Sequence, residues 1–473
     1  MSLNKPKILL CNPKTSEVHP NRQPALSIFY PGAALEQAGF DVDYWDASYE
    51  DFSTFEGRLE EADIVGVTSM TGYQLKGTEK VMRMAKAKNK QVVMGGVHAS
   101  IVPEQCIQEP FIDYVVVGEG ENTLVDLASG LKEGATIDIP GVMTKDRYPG
   151  PSVKLDTEDY ILPLTETNAK YFQFAADEGR FSIQTSRSCP YRCAFCYNLS
   201  NNIAKYHYLP LEQVGIYKER FPELMHTTIV DDWLGAKKRI KTVASELQQH
   251  DVSFTMNIRA GQIDEDLAAH LYETGCVHVM FGMESGSPRV LKEVVDKGET
   301  VESFLTAAKS FRKFNIRRQF SFILGMPGET EGERKETYEF ITEIYNAAKG
   351  NVGIAIYNYV PFPGTPLLPA AIEDGFQVPT TMAGWSDLER NKSISKKVNE
   401  NVFFIGGLTH HRSKGNRTDT NFPGVLRLLI LPFELLCRAR WKLKFWEFFK
   451  LEKYFITQLL KWRTSRVAAK GLS

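Results

Sequence analysis

The chain has 473 residues, a length that at about 150 residues per domain allows roughly three domains, each able to bury its own core. With 43% apolar and 24% charged residues, 35 glycines and 23 prolines, the composition excludes a disordered or peptide-sized protein. Lys plus Arg number 56 against 58 Asp plus Glu, and the net charge of -2 supplies no overall field for nucleic acid, so none is expected as a partner.

Met1 to Leu10 carries Lys5 and Lys7 but only the short apolar run Ile8-Leu9-Leu10, which reads as the start of a strand and not as a signal peptide. Strand signals follow at Lys7 to Cys11, Asp41 to Trp45, Ile64 to Ser69, Gln91 to Met94 and Tyr114 to Val117. An amphipathic stretch through Ala33 to Ala38 and a Lys-rich helix to about Lys88 lie between them. This alternation predicts an α/β domain over 1–143 with a doubly wound parallel sheet, in which ligands bind at the carboxyl ends of the strands. Those ends carry Asn12-Pro13, Thr68-Ser69-Met70, Gly95-Gly96-Val97-His98 and Gly118-Glu119-Gly120. Such small or polar residues let a large ligand approach the backbone.

Residues 144–178 are rich in Pro, Gly and acidic residues without periodicity and read as a linker. Strands return at Phe181 to Gln184, Thr227 to Val230, Ser253 to Ile258, His278 to Gly282, Gln319 to Leu324 and Val352 to Tyr359, separated by helical segments. Six strand-helix units predict a partial parallel barrel over 179–390, with chemistry again at the strand carboxyl ends. A C-terminal region follows over 391–473.

Seven cysteines occur, Cys11, Cys106, Cys189, Cys193, Cys196, Cys276 and Cys437, and three of them fall within eight residues. An odd number so clustered argues against a disulfide framework and for a metal or redox site in a reducing, cytoplasmic setting. Cys189-Pro190-Tyr191-Arg192-Cys193-Ala194-Phe195-Cys196 follows the first barrel strand. Three thiolates there suit three irons of a [4Fe-4S] cluster with the fourth iron open. A zinc site would need a fourth protein ligand, for which His207 stands nearby with no second pair after it.

The C-x-x-x-C-x-x-C spacing, with an aromatic before the last cysteine, resembles the radical S-adenosylmethionine (SAM) superfamily over about residues 180 to 370. The resemblance implies that Cys189, Cys193 and Cys196 ligate the cluster, that SAM chelates the open iron, and that Phe195 lies against its adenine. Asp231-Asp232 stands where the family often has an acidic motif for the SAM ammonium, in place of the commoner Gly-Gly-Glu, and Arg259 is placed to pair with the SAM carboxylate. Phe281 to Ser287, with Glu284 and Ser285, is similar to the ribose and methionine segment. Leu324 to Thr330, with Gly325 and Pro327, is similar to the adenine loop, and Pro361 to Pro366 to a sixth-strand loop. Singly, Asp231 or Arg259 reads as a surface ion-pair partner and Gly286 as a turn glycine; their order behind the cysteine triplet favours the SAM reading.

Gly66-Val67-Thr68-Ser69, Gly95 to Ser100 and Val117 to Glu121 resemble loops of the cobalamin-binding radical SAM proteins. That resemblance implies cobalamin contacts from Asn12, Thr68, Ser69, Met70, Gly95, Gly96, Val97, His98, Gly118 and Glu119. The D-x-H-x-x-G motif is missing, with Asp46-Ala47-Ser48-Tyr49-Glu50 in the place expected for it. Cobalamin is therefore expected base-off with no protein axial histidine, and His98 at the corrin periphery. A plain sheet domain or a nucleotide binder is the other reading, but no G-x-G-x-x-G follows the first strand.

The implied reaction is methylation of an unactivated carbon. One SAM methylates cob(I)alamin, a second yields the deoxyadenosyl radical, the substrate radical takes its methyl from methylcobalamin, and a flavodoxin or ferredoxin type donor supplies electrons. Oxidative cyclisation of the anaerobic magnesium-protoporphyrin cyclase type and a non-catalytic cobalamin or SAM sensor are the alternatives.

Val425 to Cys437 is too short to span a membrane and carries Arg427, Pro432 and Glu434. From Arg438 to Arg466 nine basic residues face Glu447 and Glu452, a local charge of +7, interleaved with aromatics such as Trp441, Trp446 and Trp462. Such a helix either lies on an anionic membrane or packs on the barrel. Peripheral membrane contact through 425–466 is expected, with a hydrophobic substrate, a bacteriochlorophyll-type tetrapyrrole before an isoprenoid.

Overall fold

The computed structural model describes residues 6–14, 22–200, 205–388, 435–444 and 446. The first sheet holds β1 (Lys7–Asn12), β2 (Asp41–Asp46), β3 (Ile64–Thr68), β4 (Gln91–Gly95), β5 (Tyr114–Val116) and β6 (Val142–Met143), in the order β2-β1-β3-β4-β5-β6. The pairings among β1 to β5 are parallel, and β6 runs antiparallel to β5. Alternate residues sort to opposite faces, as a strand's period of two requires. Ile8, Leu10, Ile64 and Val93 pack with Phe29, Leu124 and Leu127. Leu9, Cys11, Val65 and Val92 pack with Phe55, Leu59, Leu75 and Val81. Coverage on both faces explains why β3, Ile64-Val65-Gly66-Val67-Thr68, is buried at every position.

The second sheet holds β7 (Phe181–Ile183), β10 (His226–Ile229), β11 (Ser253–Asn257), β12 (Cys276–Glu284), β13 (Arg317–Leu324) and β14 (Val352–Asn358), all parallel in the order β14-β13-β12-β11-β10-β7. Between β7 and β10, β8 (Ser186–Arg187) and β9 (His207–Tyr208) form a small antiparallel ribbon. β7 and β14 end the sheet, which makes it the expected open barrel. Along β13, half-buried Arg317, Gln319, Ser321 and Ile323 alternate with buried Arg318, Phe320, Phe322 and Leu324. The buried aromatics meet the helix Glu331–Ala348, with Phe322 against Phe340. The alternate residues therefore face the concave side, and their polarity and partial exposure distinguish it from a filled barrel.

The segment expected as a linker carries a helix, Ala169–Asp177, and joins the two sheets into one core. Phe172 contacts Phe29 of the first domain at 5.3 Å and Phe181 of β7 at 5.7 Å between ring centroids. The Tyr171 hydroxyl donates to the Tyr44 carbonyl at 2.7 Å. After the barrel the chain turns back to the first domain. Trp385 is buried there, its Nε1 donating to Gln105 Oε1 at 2.7 Å, and Gln105 Nε2 donates to the Pro379 carbonyl at 3.1 Å. Trp385→Ala is expected to cost about 3–5 kcal/mol by opening a cavity against the first domain, read as a lowered denaturation midpoint.

Candidate functional site

The carboxyl ends of the two sheets meet at a cavity of about 370 Å³. Thr68, Gly95, Gly96, Val97, Gly118 and Glu119 line it from the first domain, and Arg187, Ser188, Tyr197, Asn198 and Asp232 from the barrel. Its inner end reaches the mid-strand residues Leu10, Gly66 and Val93. A Cβ on Gly95 would meet no atom within 4 Å, so this position leaves a cradle open. Gly96 has φ +92°, and a Cβ there would come within 2.6 Å of the Ser69 backbone, which only glycine tolerates. The rim is laced by hydroxyls. Ser69 Oγ donates to the Gly95 carbonyl at 2.7 Å; Ser100 Oγ donates to the Gly96 carbonyl at 2.9 Å and accepts Gly118 N at 3.0 Å.

The remaining residues expected at cobalamin stand behind this rim. Asn12 donates to Asp46 Oδ1 and accepts from Gln74 Nε2, both at 3.0 Å, and Met70 is exposed. Asp46 also accepts Ser48 N at 2.8 Å. Burial pushes its carboxyl up to about 7, against the hydrogen bonds from Ser48 and Asn12. None of residues 46–50 lines the cavity. His98, expected at the corrin periphery, is directed elsewhere. The short helix Val97–Ile101 turns its ring into the apolar side of the domain, where Nδ1 bonds Thr71 Oγ1 at 2.9 Å and Trp385 lies edge-on at 6.4 Å. Burial lowers its pKa to about 4, so the ring is neutral.

The cysteine loop begins where Ser188, at φ +63°, turns the chain out of β8. Ala194 N donates to the Val295 carbonyl at 2.8 Å, and Leu367 N to the Ala194 carbonyl at 3.1 Å. Phe195 packs on a cluster that includes Val295 and Met326, which brings the loop after β13 beside the cysteines. Cys189, Cys193 and Cys196 are free thiols; burial raises the pKa of Cys189, and that of Cys196 to about 11. Among the described residues no three side chains form a closed metal-binding group as they stand. The donor chemistry nevertheless fits a [4Fe-4S] cluster: three unpaired thiols on one loop, with cations beside them that favour thiolates. Arg259 places Nη1 3.9 Å from Cys193 Sγ, and its guanidinium stacks 3.6 Å from the Tyr191 ring centroid. His207, the alternative zinc ligand, bonds the Lys205 carbonyl through Nδ1 at 2.9 Å.

The other residues expected at SAM divide between the open end of the barrel and its framework. Asp232 lines the cavity, and its Oδ1 accepts from the Tyr197 hydroxyl at 3.2 Å. Asp231 is turned inward, accepting Thr185 N at 2.7 Å, Thr185 Oγ1 at 2.6 Å and Ser186 Oγ at 2.9 Å. Burial raises its pKa to about 6, with those bonds opposing the shift. Glu284 sits at φ +62°, paired with Lys297 Nζ at 3.0 Å. Ser285 Oγ bonds Thr337 Oγ1 at 3.1 Å, Gly325 N donates to Glu329 Oε2 at 2.7 Å, and Pro327 is buried.

Sequence reasoning missed four residues here. Lys297 is buried; burial opposes its charge, yet Glu284 and Glu299 hold its pKa above the usual value. Glu299 lies 3.6 Å from Lys297 and 3.7 Å from Arg259. Tyr30 lines the cavity with a buried hydroxyl that has no hydrogen-bond partner among the described residues. Arg187 joins the two domains. None stands at a motif position, and the polar neighbours of Lys297 (Asp296, Glu299) and of Arg187 (Ser186, Ser188) give no local sign of their burial.

The described part of the C-terminal region, residues 435–444 and 446, packs on the barrel. Trp441 Nε1 donates to Thr342 Oγ1 at 2.6 Å, and Tyr338 meets Trp446 at 5.1 Å. The rest of 425–466 lies outside the described residues. Among the described residues no helix is long and apolar enough to cross a membrane.

Residues 18–128 match the family model of the B12 binding domain, and residues 183–341 that of the radical SAM superfamily. An uncharacterized methyltransferase of Pyrococcus horikoshii is 31% identical over 390 residues, covering 77% of this chain and 83% of that protein. Bacteriochlorophyllide d C-12(1)-methyltransferase of Chlorobaculum tepidum is 24% identical over 346 residues, covering 71% of each. Among solved structures, the cobalamin-dependent S-adenosylmethionine radical enzyme OxsB with aqua-cobalamin bound shares the fold at a TM-score of 0.73 and 16% identity. It covers 97% of this chain and 76% of that one.

The two neighbouring aspartates differ in what their substitution does. Asp231→Asn leaves Thr185 and Ser186 competing for one acceptor oxygen and is expected to cost about 1–3 kcal/mol in chemical denaturation. Asp232→Asn removes no such framework and is expected to leave the denaturation midpoint near that of the unaltered chain.

Proposed function

We propose, given that this chain belongs to the B12-binding branch of the radical SAM superfamily, that it is a cobalamin-dependent radical SAM methyltransferase acting on an unactivated carbon of a hydrophobic scaffold, a bacteriochlorophyll-type tetrapyrrole in first place. One observation carries the reading: Ser188, Tyr197 and Asn198, which flank the cysteine triplet, line the same cavity as Thr68, Gly95 and Gly118 of the first domain. Two reaction centres held at those positions open onto one space. When bound, the cluster and cobalamin supply the electron that cleaves SAM and the carrier of its methyl group.

The chain's own residues supply placement. Cys189, Cys193 and Cys196 would hold three irons of the cluster, with the stacked Arg259 guanidinium keeping positive charge beside Cys193. Asp232, on the cavity wall, is the carboxylate available to an ammonium group, because Asp231 is engaged by Thr185 and Ser186. Gly95, where a Cβ would meet no atom within 4 Å, leaves room for a corrin to approach the backbone. The extension of the cavity to Leu10, Gly66 and Val93 supports base-off binding, since it offers an apolar slot for the displaced nucleotide base.

The tetrapyrrole rests on the likeness to the Chlorobaculum tepidum enzyme. In the C-terminal helix, Leu435, Leu436 and Leu443 are exposed alongside Arg438 and Lys442. Such a face supports peripheral contact with an anionic membrane, where hydrophobic substrates partition.

The deciding experiment supplies methyl-deuterated SAM to reconstituted enzyme with pigment and lipid extract from a strain lacking the gene. Deoxyadenosine should form, the label should enter a pigment, and both should vanish in Cys189, Cys193, Cys196→Ala protein. An oxidised, unlabelled pigment would make the enzyme a cyclase, and label confined to water-soluble products would refute the hydrophobic substrate. A Leu435, Leu436, Leu443→Gln variant is expected to release the protein from anionic liposomes in flotation while leaving its thermal unfolding unchanged.

A further inference from the structure

Arg187 lies two residues before Cys189, yet its side chain belongs to the other domain's surroundings. Nη1 donates to Glu119 Oε1 at 2.9 Å, Nη2 donates to Glu121 Oε1 at 2.5 Å, and the guanidinium lies 4.5 Å from the centroid of the Tyr30 ring. Glu119 follows β5, Glu121 opens the helix Glu121–Glu133, and Tyr30 sits on the helix Leu26–Gln37; all three line the cavity. The Arg187 side chain is only 13% exposed, so solvent screens this fork little. Glu119 is itself oriented by Leu155 N, which donates to its Oε2 at 2.9 Å.

The barrel side is fixed as closely. Ser186 Oγ lies 2.9 Å from Asp231 Oδ2 and 2.8 Å from the Trp233 carbonyl, with its one proton shared between these two acceptors, and Ser188 makes the left-handed turn into Cys189. A planar guanidinium held by two carboxylates and an aromatic face is constrained in position and in angle, which a point charge is not.

We propose that Arg187 is a positioning residue that registers the origin of the cysteine loop against the loop Gly118 to Glu121, and so fixes the separation of the two reaction centres across the cavity. The assignment of those centres rests on the function proposed above. Transfer between two bound groups depends steeply on such a separation: a misplacement of about 1 Å costs on the order of a hundredfold in rate.

Two variants test it. Arg187→Lys keeps the charge but cannot span both carboxylates. Arg187→Met/Glu121→Gln removes one charge of each sign. In full-length protein loaded with cluster and cobalamin and then reduced, electron paramagnetic resonance reads the magnetic coupling between the reduced cluster and cob(II)alamin. Both variants should retain their iron and cobalamin while the coupling spreads into a broad distribution, and methyl transferred per deoxyadenosine should fall on the order of a hundredfold. An unchanged coupling overturns the proposal, as does loss of coupling only in proportion to lost cofactor. Hydrogen exchange on the protein without cofactors provides a separate arm. The amides of 186–196 and 118–124 should lose protection together in both variants, and unchanged protection overturns the clamp. Failure of the unaltered protein to take up cobalamin would refute the functional reading, and the exchange result would still decide the role of Arg187.

Discussion

Everything at the site depends on the Phe172 ring being shared. It touches Phe29 on a helix of the first sheet and Phe181 on the first strand of the second. Because these contacts belong to one apolar cluster running from Ile8 to Ile354, neither sheet can rotate without parting aromatic surfaces from each other. Interiors packed at crystal-like density resist such rotation. The carboxyl ends of both sheets are thereby held face to face, and the cavity between them is a by-product of how the core is filled.

Onto that rigid frame the chain adds buried charge in small balanced groups. Lys297 sits between Glu284 and Glu299, with Arg259 beyond, close to the cysteine loop. Arg318, almost wholly buried, is the exception: its partners among the described residues are not carboxylates but carbonyls, including those of Ala348 at 2.9 Å and Lys349 at 2.6 Å, where the helix Glu331–Ala348 ends. Buried ion pairs contribute little net stability, because desolvation offsets their attraction, but removing one partner is costly. Their use here is directional: each group has one arrangement that satisfies its charges, and that arrangement sets the backbone nearby, including the left-handed Glu284.

The parts of this arrangement legible in the sequence are those where local pattern and tertiary role coincide. Apolar strands covered on both faces, such as Ile64 to Thr68, announce themselves as uninterrupted runs, and three cysteines within eight residues stand out by their spacing as a candidate metal-binding loop. The helix Ala169–Asp177 is hidden in the sequence because Pro163 and Glu166 before it and Asp177, Glu178 and Gly179 at its end mask its short apolar stripe of Tyr171, Phe172, Ala175 and Ala176. His98 illustrates the converse. Its glycine-rich setting is that of a ligand loop, but one helical turn after Gly96 rotates the side chain into the core, which no spacing rule reports. Asp231 and Asp232 are equivalent as letters and opposite in direction, since successive residues leaving a strand point to opposite sides.

The return of the chain to its first domain bears on how such proteins can be cut and recombined. Met382 and Trp385 belong to the same cluster as Leu75, Val81 and Cys106, so the far end of the barrel region completes the first domain's interior. Lys76 and Asp387 reinforce the seam from outside at 2.9 Å. A fragment ending near residue 143 would lack that cover and present an apolar patch to solvent. The unit that can be grafted or exchanged intact is therefore larger than the span of its sheet, and it is discontinuous along the chain.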